Sequence, residues 1–286
     1  MTQQPRAQGS ALAGLRADPS WASVQALKVA ASTNDTVADR AQALGDLGQA
    51  WLAAAADQQT AGRGRGGHTW FSSKGGSLLL SLAAQLQLPP QLWPRASLVV
   101  GGAVAEVLQQ LVATRVWLKW PNDLLVVHEG AWRKVGGVLC ERRDRPRHPA
   151  IWVAGIGINV DIEPAEFPAA LRPHVASLRW LGADVARDQL AEHVAQATRR
   201  ATNRWVADAG RLDLASLQAR LAFIGAQVSC DFGAANEPLT GALVGLAADG
   251  GLRIRTHDGT EQACQPLQLL SAESEPPWTI PPDVPN

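Results

Sequence analysis

The chain has 286 residues, 46% of them hydrophobic and 18% charged. That is a folded globular composition and excludes a disordered chain; the length suits one large domain, or a large and a small one. Lysine and arginine total 26 and aspartate and glutamate 26, a balance that argues against a general nucleic-acid binder but leaves room for a local basic patch. Cys140, Cys230 and Cys264 are scattered and odd in number, so neither a disulfide framework nor a CxxC zinc site is expected. The first residues lack the apolar core of a signal peptide, and no apolar run approaches the ~18 residues of a membrane helix. A soluble cytoplasmic protein with no membrane partner is expected.

In chain order, residues 1–31 read as an N-terminal extension. Ser32 with Asp35 fits a capping pattern, opening a helix whose apolar stripe is Val37, Ala41, Leu44 and Leu47. "WLAAAADQQ" from Trp51 and "SLLLSLAAQL" from Ser77 are candidate buried strands. Residues 95–113 read as a long apolar helix; Gly101–Gly102 inside it costs helix stability, so close packing is the expected reason for the pair. Val116, Leu118 and Trp120 alternate with Trp117 and Lys119 as in a strand. Pro121–Asn122–Asp123 breaks that run before "LLVV", and "HEGAW" is a hairpin turn leading into "RKVGGVLCE". A further strand covers 150–160. Short turns between strands predict a mixed or antiparallel sheet rather than regular βαβ units. Helical periods follow at 187–208 and 212–222, and short strands with Asp-Gly turns fill 226–270, read as a small β-barrel. The chain thus divides into 1–31, a large unit at 32–222, the barrel at 223–272 and a Pro-rich tail at 273–286.

Four stretches carry candidate chemistry. From Gln58 to Ala105 there is no Asp or Glu, while Arg63, Arg65, Lys74 and Arg95 are present. Fixed cations without competing anions, among glycines that let backbone approach closely, suit a polyphosphate. An ordinary exposed Gly-rich loop fits about as well, and an RGG-type RNA tag would need repeats. No Walker P-loop occurs. "GIGIN" at 155–159 has two glycines of a dinucleotide fingerprint, with Val160 where the third belongs. In "KWPND", Asn122 and Asp123 could serve ribose, phosphate or Mg²⁺, though Pro-Asn-Asp is also ordinary turn chemistry. In "KVGGVLCE", Lys134 precedes Gly136–Gly137, and glycine inside a strand marks close approach of a ligand or another backbone; a solvated edge lysine is the alternative. With no His/Glu metal spacing and no G-x-S-x-G elbow, the candidate chemistry is charge neutralisation and positioning, as in nucleotidyl transfer.

Taken together, "STND", "QTAGRGRGG…W", "KWPND", "KVGGVL" and "GIGIN", in that order, resemble the biotin protein ligases, strongly over about 32–160. The resemblance implies a class II synthetase-like α/β catalytic domain at 32–222, with a mixed sheet flanked by helices, and an SH3-like barrel at 223–272. It implies a monofunctional, ATP- and Mg²⁺-dependent ligase. Biotin would be activated to biotinyl-5′-AMP and passed to a lysine of the biotin carboxyl carrier protein of acetyl-CoA carboxylase. On this resemblance Ser32, Thr33, Asn34 and Gln59 line the biotin pocket, whose ureido head needs paired donors and acceptors. Arg63, Gly64 and Arg65 fold over biotin and the adenylate, and Trp70, Gly136, Gly137 and Gly157 complete the biotin site. Lys134 reaches carboxylate and α-phosphate, with Arg63 and Arg65 as its catalytic companions. Lys119, Asn122, Asp123 and Asn159 serve the nucleotide, Asp123 being the metal candidate.

Three departures qualify the match. Gly66 and His68 stand at commonly basic places in the loop. Only 31 residues precede Ser32, so no helix-turn-helix, DNA partner or repressor function is expected. No Lys or Arg lies between Cys264 and Asn286, which leaves Arg253 or Arg255 to supply any C-terminal contact to ATP. A homodimer through sheet edges, a lipoate- or octanoyl-type ligase, and a non-catalytic biotin binder stay open as alternatives.

Overall fold

The structure is a computed structural model that describes residues 12–233 and 237–271; the Pro-rich tail expected at 273–286 lies outside them. The chain enters through a short helix α1 (Ala13–Ala17), strand β1 (Trp21–Ala30), helix α2 (Thr33–Leu44) and strands β2 (Trp51–Gln59) and β3 (Ser77–Ala84). Helix α3 (Ala96–Gln109) leads to β4 (Val116–Lys119), β5 (Asp123–His128), β6 (Ala131–Arg145) and β7 (His148–Asn159). These strands form one seven-stranded sheet in the order β1-β2-β3-β7-β6-β5-β4. β1 runs parallel to β2 and every other neighbour is antiparallel, so the sheet is mixed, as expected.

From Trp21 onward the N-terminal segment is not an extension. β1 is the edge strand of the main sheet, and Trp21 stands opposite Trp51 in register, their rings 6.1 Å apart and edge to face. The segment before it is tied to helix α4 (Arg187–Ala207), where Arg199 Nη2 lies 3.0 Å from Asp18 Oδ2. β1 escaped notice because an edge strand buries few side chains and so carries no apolar run.

α2 begins where expected, but Ser32 does not cap it with its side chain. Its carbonyl accepts the Thr36 amide at 3.1 Å instead, and Asp35 is drawn away to arginines. Val37 and Ala41 are buried, Leu44 is exposed, and Leu47 is buried beyond the helix end. In α3 the glycine pair is explained: a Cβ on Gly101 or Gly102 would come within 3.1 Å of Leu118 or Leu217. The β5–β6 hairpin turns at Glu129 and Gly130, with φ of 52° and 72°, the left-handed pair of a type I′ turn.

After helix α5 (Leu214–Ala219), strands β8 (Gln227–Asp231), β9 (Leu239–Leu246), β10 (Leu252–Arg255), β11 (Glu261–Cys264) and β12 (Gln268–Ser271) form an antiparallel sheet ordered β11-β10-β9-β8-β12. Cys230 on β8 and Cys264 on β11 are three places apart in that order, yet their sulfurs lie 4.0 Å apart. The sheet therefore curls strongly, although no ladder joins β11 to β12 among the described residues. It docks on the larger unit, with Trp120 Nε1 donating to Gly250 O at 2.9 Å and apolar residues of both units sharing one core. No helix among the described residues is long and apolar enough to cross a membrane.

Candidate active site

A cavity of about 400 Å³ opens over β7 and β6, under the 63–70 segment, with β12 at its far rim. Its floor is polar because α2 starts there. Ser32, Thr33 and Asn34 are 3–4% exposed. Gln59 Oε1, at the end of β2, accepts both the Thr33 amide at 2.7 Å and the Thr33 hydroxyl at 3.0 Å. Ser81 of β3, which the motifs did not single out, donates toward Thr33 Oγ1 at 2.7 Å and Asn34 Oδ1 at 2.5 Å. Asn34 in turn donates to Glu141 Oε2 at 2.6 Å. Gly155 makes room for this cluster, since a Cβ there would fall 2.4 Å from Asn34 Oδ1. The result is a pre-oriented set of amide and hydroxyl groups whose positions are fixed before any ligand arrives.

The glycine–arginine stretch is a small hairpin. Trp70 N donates to Gly62 O at 3.0 Å and Gly64 N to His68 O at 2.7 Å, while Arg63 bridges Thr69. Its tip turns through Arg65–Gly67 with φ of 62° at Gly66 and 80° at Gly67. That left-handed backbone strains any larger side chain, which accounts for glycine at Gly66. His68 is exposed on the rim.

The two arginines differ. Arg63 does not face the cavity as a free cation: both its terminal nitrogens lie 2.7 Å from the Asp35 carboxylate. That hydrogen-bonded pair raises the guanidinium further and holds the Asp35 carboxyl below the ordinary carboxylate range. The Arg65 side chain makes no hydrogen bond or ion pair among the described residues, and burial holds its guanidinium below its usual value despite the attraction of Asp123.

Across the cavity, Lys134 Nζ lies 2.6 Å from Asp123 Oδ1 and 5.4 Å from the centre of the Trp70 ring. Lys119 is pushed below the ordinary lysine range by burial, which Asp123 partly offsets and Lys134 reinforces. Asn122 lines the cavity but spends its side-chain amide on Val138 O at 3.0 Å, closing the turn after a cis Trp120–Pro121 bond onto β6. "KWPND" is a turn, and that turn places Asp123 at the cavity.

Two expected residues stand outside the cavity. Asn159 is 3% exposed and donates to Ala176 O at 3.0 Å and Lys134 O at 3.4 Å, so it braces the backbone of Lys134 rather than lining the nucleotide space. At Gly136 an added Cβ would meet Gly157 O at 2.9 Å and Leu124 at 3.1 Å, which makes it a strand-packing glycine. Gly137 and Gly157 do line the site, and their neighbour is a side chain, not a backbone: the Trp70 indole covers both.

The C-terminal unit contributes Asp231, Leu267, Gln268 and Leu269 to the rim. Arg253 and Arg255, expected as substitutes for a basic contact, instead pair with Glu261 on the neighbouring strand and do not line the cavity. Their alternation along β10 points them to solvent, where cross-strand pairing wins.

No group of three or more His, Cys, Asp or Glu that could hold a metal exists among the described residues. Asp123, the metal candidate, is a single carboxylate already paired with Lys134. The side chains by themselves do not make a resident Mg²⁺ site; a Mg²⁺ here would need phosphate and water oxygens for most of its shell.

Residues 27–159 match the biotin/lipoate A/B protein ligase family. Over 143 residues the chain is 40% identical to the bifunctional ligase/repressor BirA of Salmonella typhimurium, covering 50% of this chain and 42% of that one. It is 33% identical over 166 residues to a biotin–[acetyl-CoA-carboxylase] ligase of Mycobacterium tuberculosis, covering 57% of each. The chain spans about half the length of the curated relatives it matches. Among solved structures, the biotin protein ligase of Aquifex aeolicus in complex with biotin and ATP superposes with a TM-score of 0.69 at 28% identity, covering 88% of this chain and 100% of that one. The Leishmania major biotin protein ligase in complex with biotinyl-5-AMP, at 24% identity and a TM-score of 0.57, shares the fold. Residues 27–159 are thus similar to the biotin/lipoate A/B protein ligase family.

Proposed function

We propose that the chain is a biotin–protein ligase. The biotin carboxylate attacks the α-phosphorus of ATP, releasing pyrophosphate and leaving biotinyl-5′-AMP. The side-chain amine of an acceptor lysine then attacks the acyl carbon, releasing AMP and a proton and forming an amide. The observation that carries this reading is the meeting, in one cavity, of the Thr33–Asn34–Gln59 polar floor with Lys134, Arg65 and Lys119. A ureido ring wants donors and acceptors at fixed positions, and a pentavalent phosphate wants cations that need not reorganise. The Aquifex relative's complex with biotin and ATP supports the same pairing of ligands.

Each residue has a stated part. Lys134, held by Asp123 and braced through its backbone by Asn159, meets the carboxylate and the α-phosphate. Arg65 adds a second charge from the lid side. Lys119, depressed by burial, gains most from a nearby phosphate, because an anion restores what desolvation removed. Mg²⁺, if bound with the triphosphate, would have Asp123 as its side-chain ligand and would supply charge neutralisation. The acceptor in this proposal is the biotin carboxyl carrier protein of acetyl-CoA carboxylase, by likeness to the Mycobacterium ligase. β1 is an open edge of the main sheet and the place where a second copy could pair.

The test is biotin-dependent exchange of labelled pyrophosphate into ATP. Exchange is expected, and Lys134→Ala should lower it roughly 10²–10³-fold. No exchange with biotin, ATP and Mg²⁺ would rule the reading out. The family also contains lipoate ligases; the polar floor favours biotin over an apolar lipoyl chain, and calorimetry with both acids separates them.

A further inference from the structure

Arg63 and Arg65 stand two residues apart on one hairpin, yet their surroundings assign them different tasks. Arg63 meets Asp35 of α2 fork to fork, Nη1 to Oδ2 and Nη2 to Oδ1, each at 2.7 Å. From the opposite side Arg143 of β6 donates one nitrogen to Asp35 Oδ1 and to Glu141 Oε2, each at 2.9 Å. Glu141 Oε2 lies 3.9 Å from Arg63 Nη2 and also accepts from Asn34 at 2.6 Å. Two cations and two carboxylates therefore alternate, with Asp35 shared by both arginines. Such a bidentate pair fixes direction as well as distance, which a point charge would not.

The consequence is geometric. Pairing between Gly62 and Trp70 and between Gly64 and His68 keeps the hairpin narrow, so pinning Arg63 to α2 pins the strand that carries it. Arg65 is then the lid arginine without an ion partner, at the cavity. Asn34, part of the polar floor, is joined to the same cluster through Glu141, so floor and lid are set by one network.

We propose that Asp35 and Arg143 latch the lid through Arg63, which makes Arg63 a positioning residue and leaves Arg65 as the lid charge that meets the adenylate. The adenylate part rests on the ligase reading above; the latch does not.

Limited trypsin digestion of the full chain without ligand reads the latch directly, at the Arg65–Gly66 bond. Asp35→Asn should be cut about five- to tenfold faster than wild type, the range expected for losing a partly exposed bidentate pair. Arg143→Gln, which keeps the Arg63–Asp35 pair, should give a smaller rise. Equal rates for wild type and Asp35→Asn overturn the latch. The second arm follows release of labelled biotinyl-5′-AMP from wild type, Asp35→Asn, Arg63→Gln and the double variant. Each single change should speed release about five- to tenfold, and the double no more than either, because both remove one interaction. Multiplying effects in the double would show that Arg63 meets the ligand itself and overturn its positioning role. Absence of any adenylate in wild type overturns the ligase reading alone, and the digestion result then decides the latch.

Discussion

The indole of Trp70 occupies the place where a side chain on Gly157 would stand: a Cβ added there would sit 2.6 Å from its Cε2 and 2.7 Å from its Cζ2. Trp70 closes the lid hairpin and Gly157 lies in β7, so this contact is where the lid rests on the sheet. Gly137, the register partner of Gly157 across β6, meets the same ring at 3.4 Å, an ordinary contact distance.

Gly157→Ala should therefore lift Trp70, weaken biotin binding about tenfold or more and cost about 1–3 kcal/mol of stability. Gly137→Ala should cost less, since its contact can give. Calorimetric Kd and thermal unfolding of the two variants check this; equal effects at both positions would contradict the packing described.

Asn159 is expected to act on stability before binding. Removing its amide takes the side-chain donor from the Ala176 carbonyl and the weaker contact from Lys134 O, which keeps the Ala176 amide at 3.0 Å, at a cost of about 1–3 kcal/mol. Asn159→Ala should lower Tm and reduce kcat, by loosening Lys134, while leaving the KM for ATP nearly unchanged. A raised ATP KM with an unaltered Tm would instead make Asn159 a nucleotide contact.

Asp35 gives the lid an acid limit. Its carboxyl is held below the ordinary range, first by the hydrogen bond from Arg63, with Arg143 adding to it and burial opposing. A group whose folded pKa is depressed stabilises the fold above its unfolded pKa and loses that contribution as pH falls through the folded value. The Tm difference between wild type and Asp35→Asn should be present at pH 7 and shrink below about pH 4. A difference that holds constant into strong acid would disconnect Asp35 from the arginines.

The thiols should differ in reactivity. Burial pushes Cys140 up to about 12. Cys230 is raised by the neighbouring Cys264 thiol and by burial, while Cys264 is lowered by its contact with Cys230. Alkylation near pH 8 followed by peptide mass mapping should find Cys264 modified first, because its thiol is lowered where those of Cys140 and Cys230 are raised. Early labelling of Cys140 would contradict its raised thiol.

Much of the site is local chemistry and could be read without a structure. The glycine–arginine loop, the Asp123 turn and the Lys134 strand are each set by residue types at short spacing, and short-range order survives in the sequence as periodicity and turn residues; the pocket role of Ser32–Asn34 came only from the family resemblance. β2, β3, α3 and the β5–β6 hairpin followed from the same signals. What the tertiary structure alone decided depends on which distant segments become neighbours. The order β3-β7-β6 puts Gly137 beside Gly157 under one indole, sets Glu141 and Arg143 beside Asn34 and Asp35, and turns Asn159 from a ligand candidate into a brace. β1 was hidden because an edge strand need not be apolar, and the contribution of β12 because nothing in "QPLQLL" signals a cavity. Sequence spacing carries the conformational preferences of a few residues; the partner of Arg63 was a matter of sheet order and helix docking, which arise only when the whole apolar core closes.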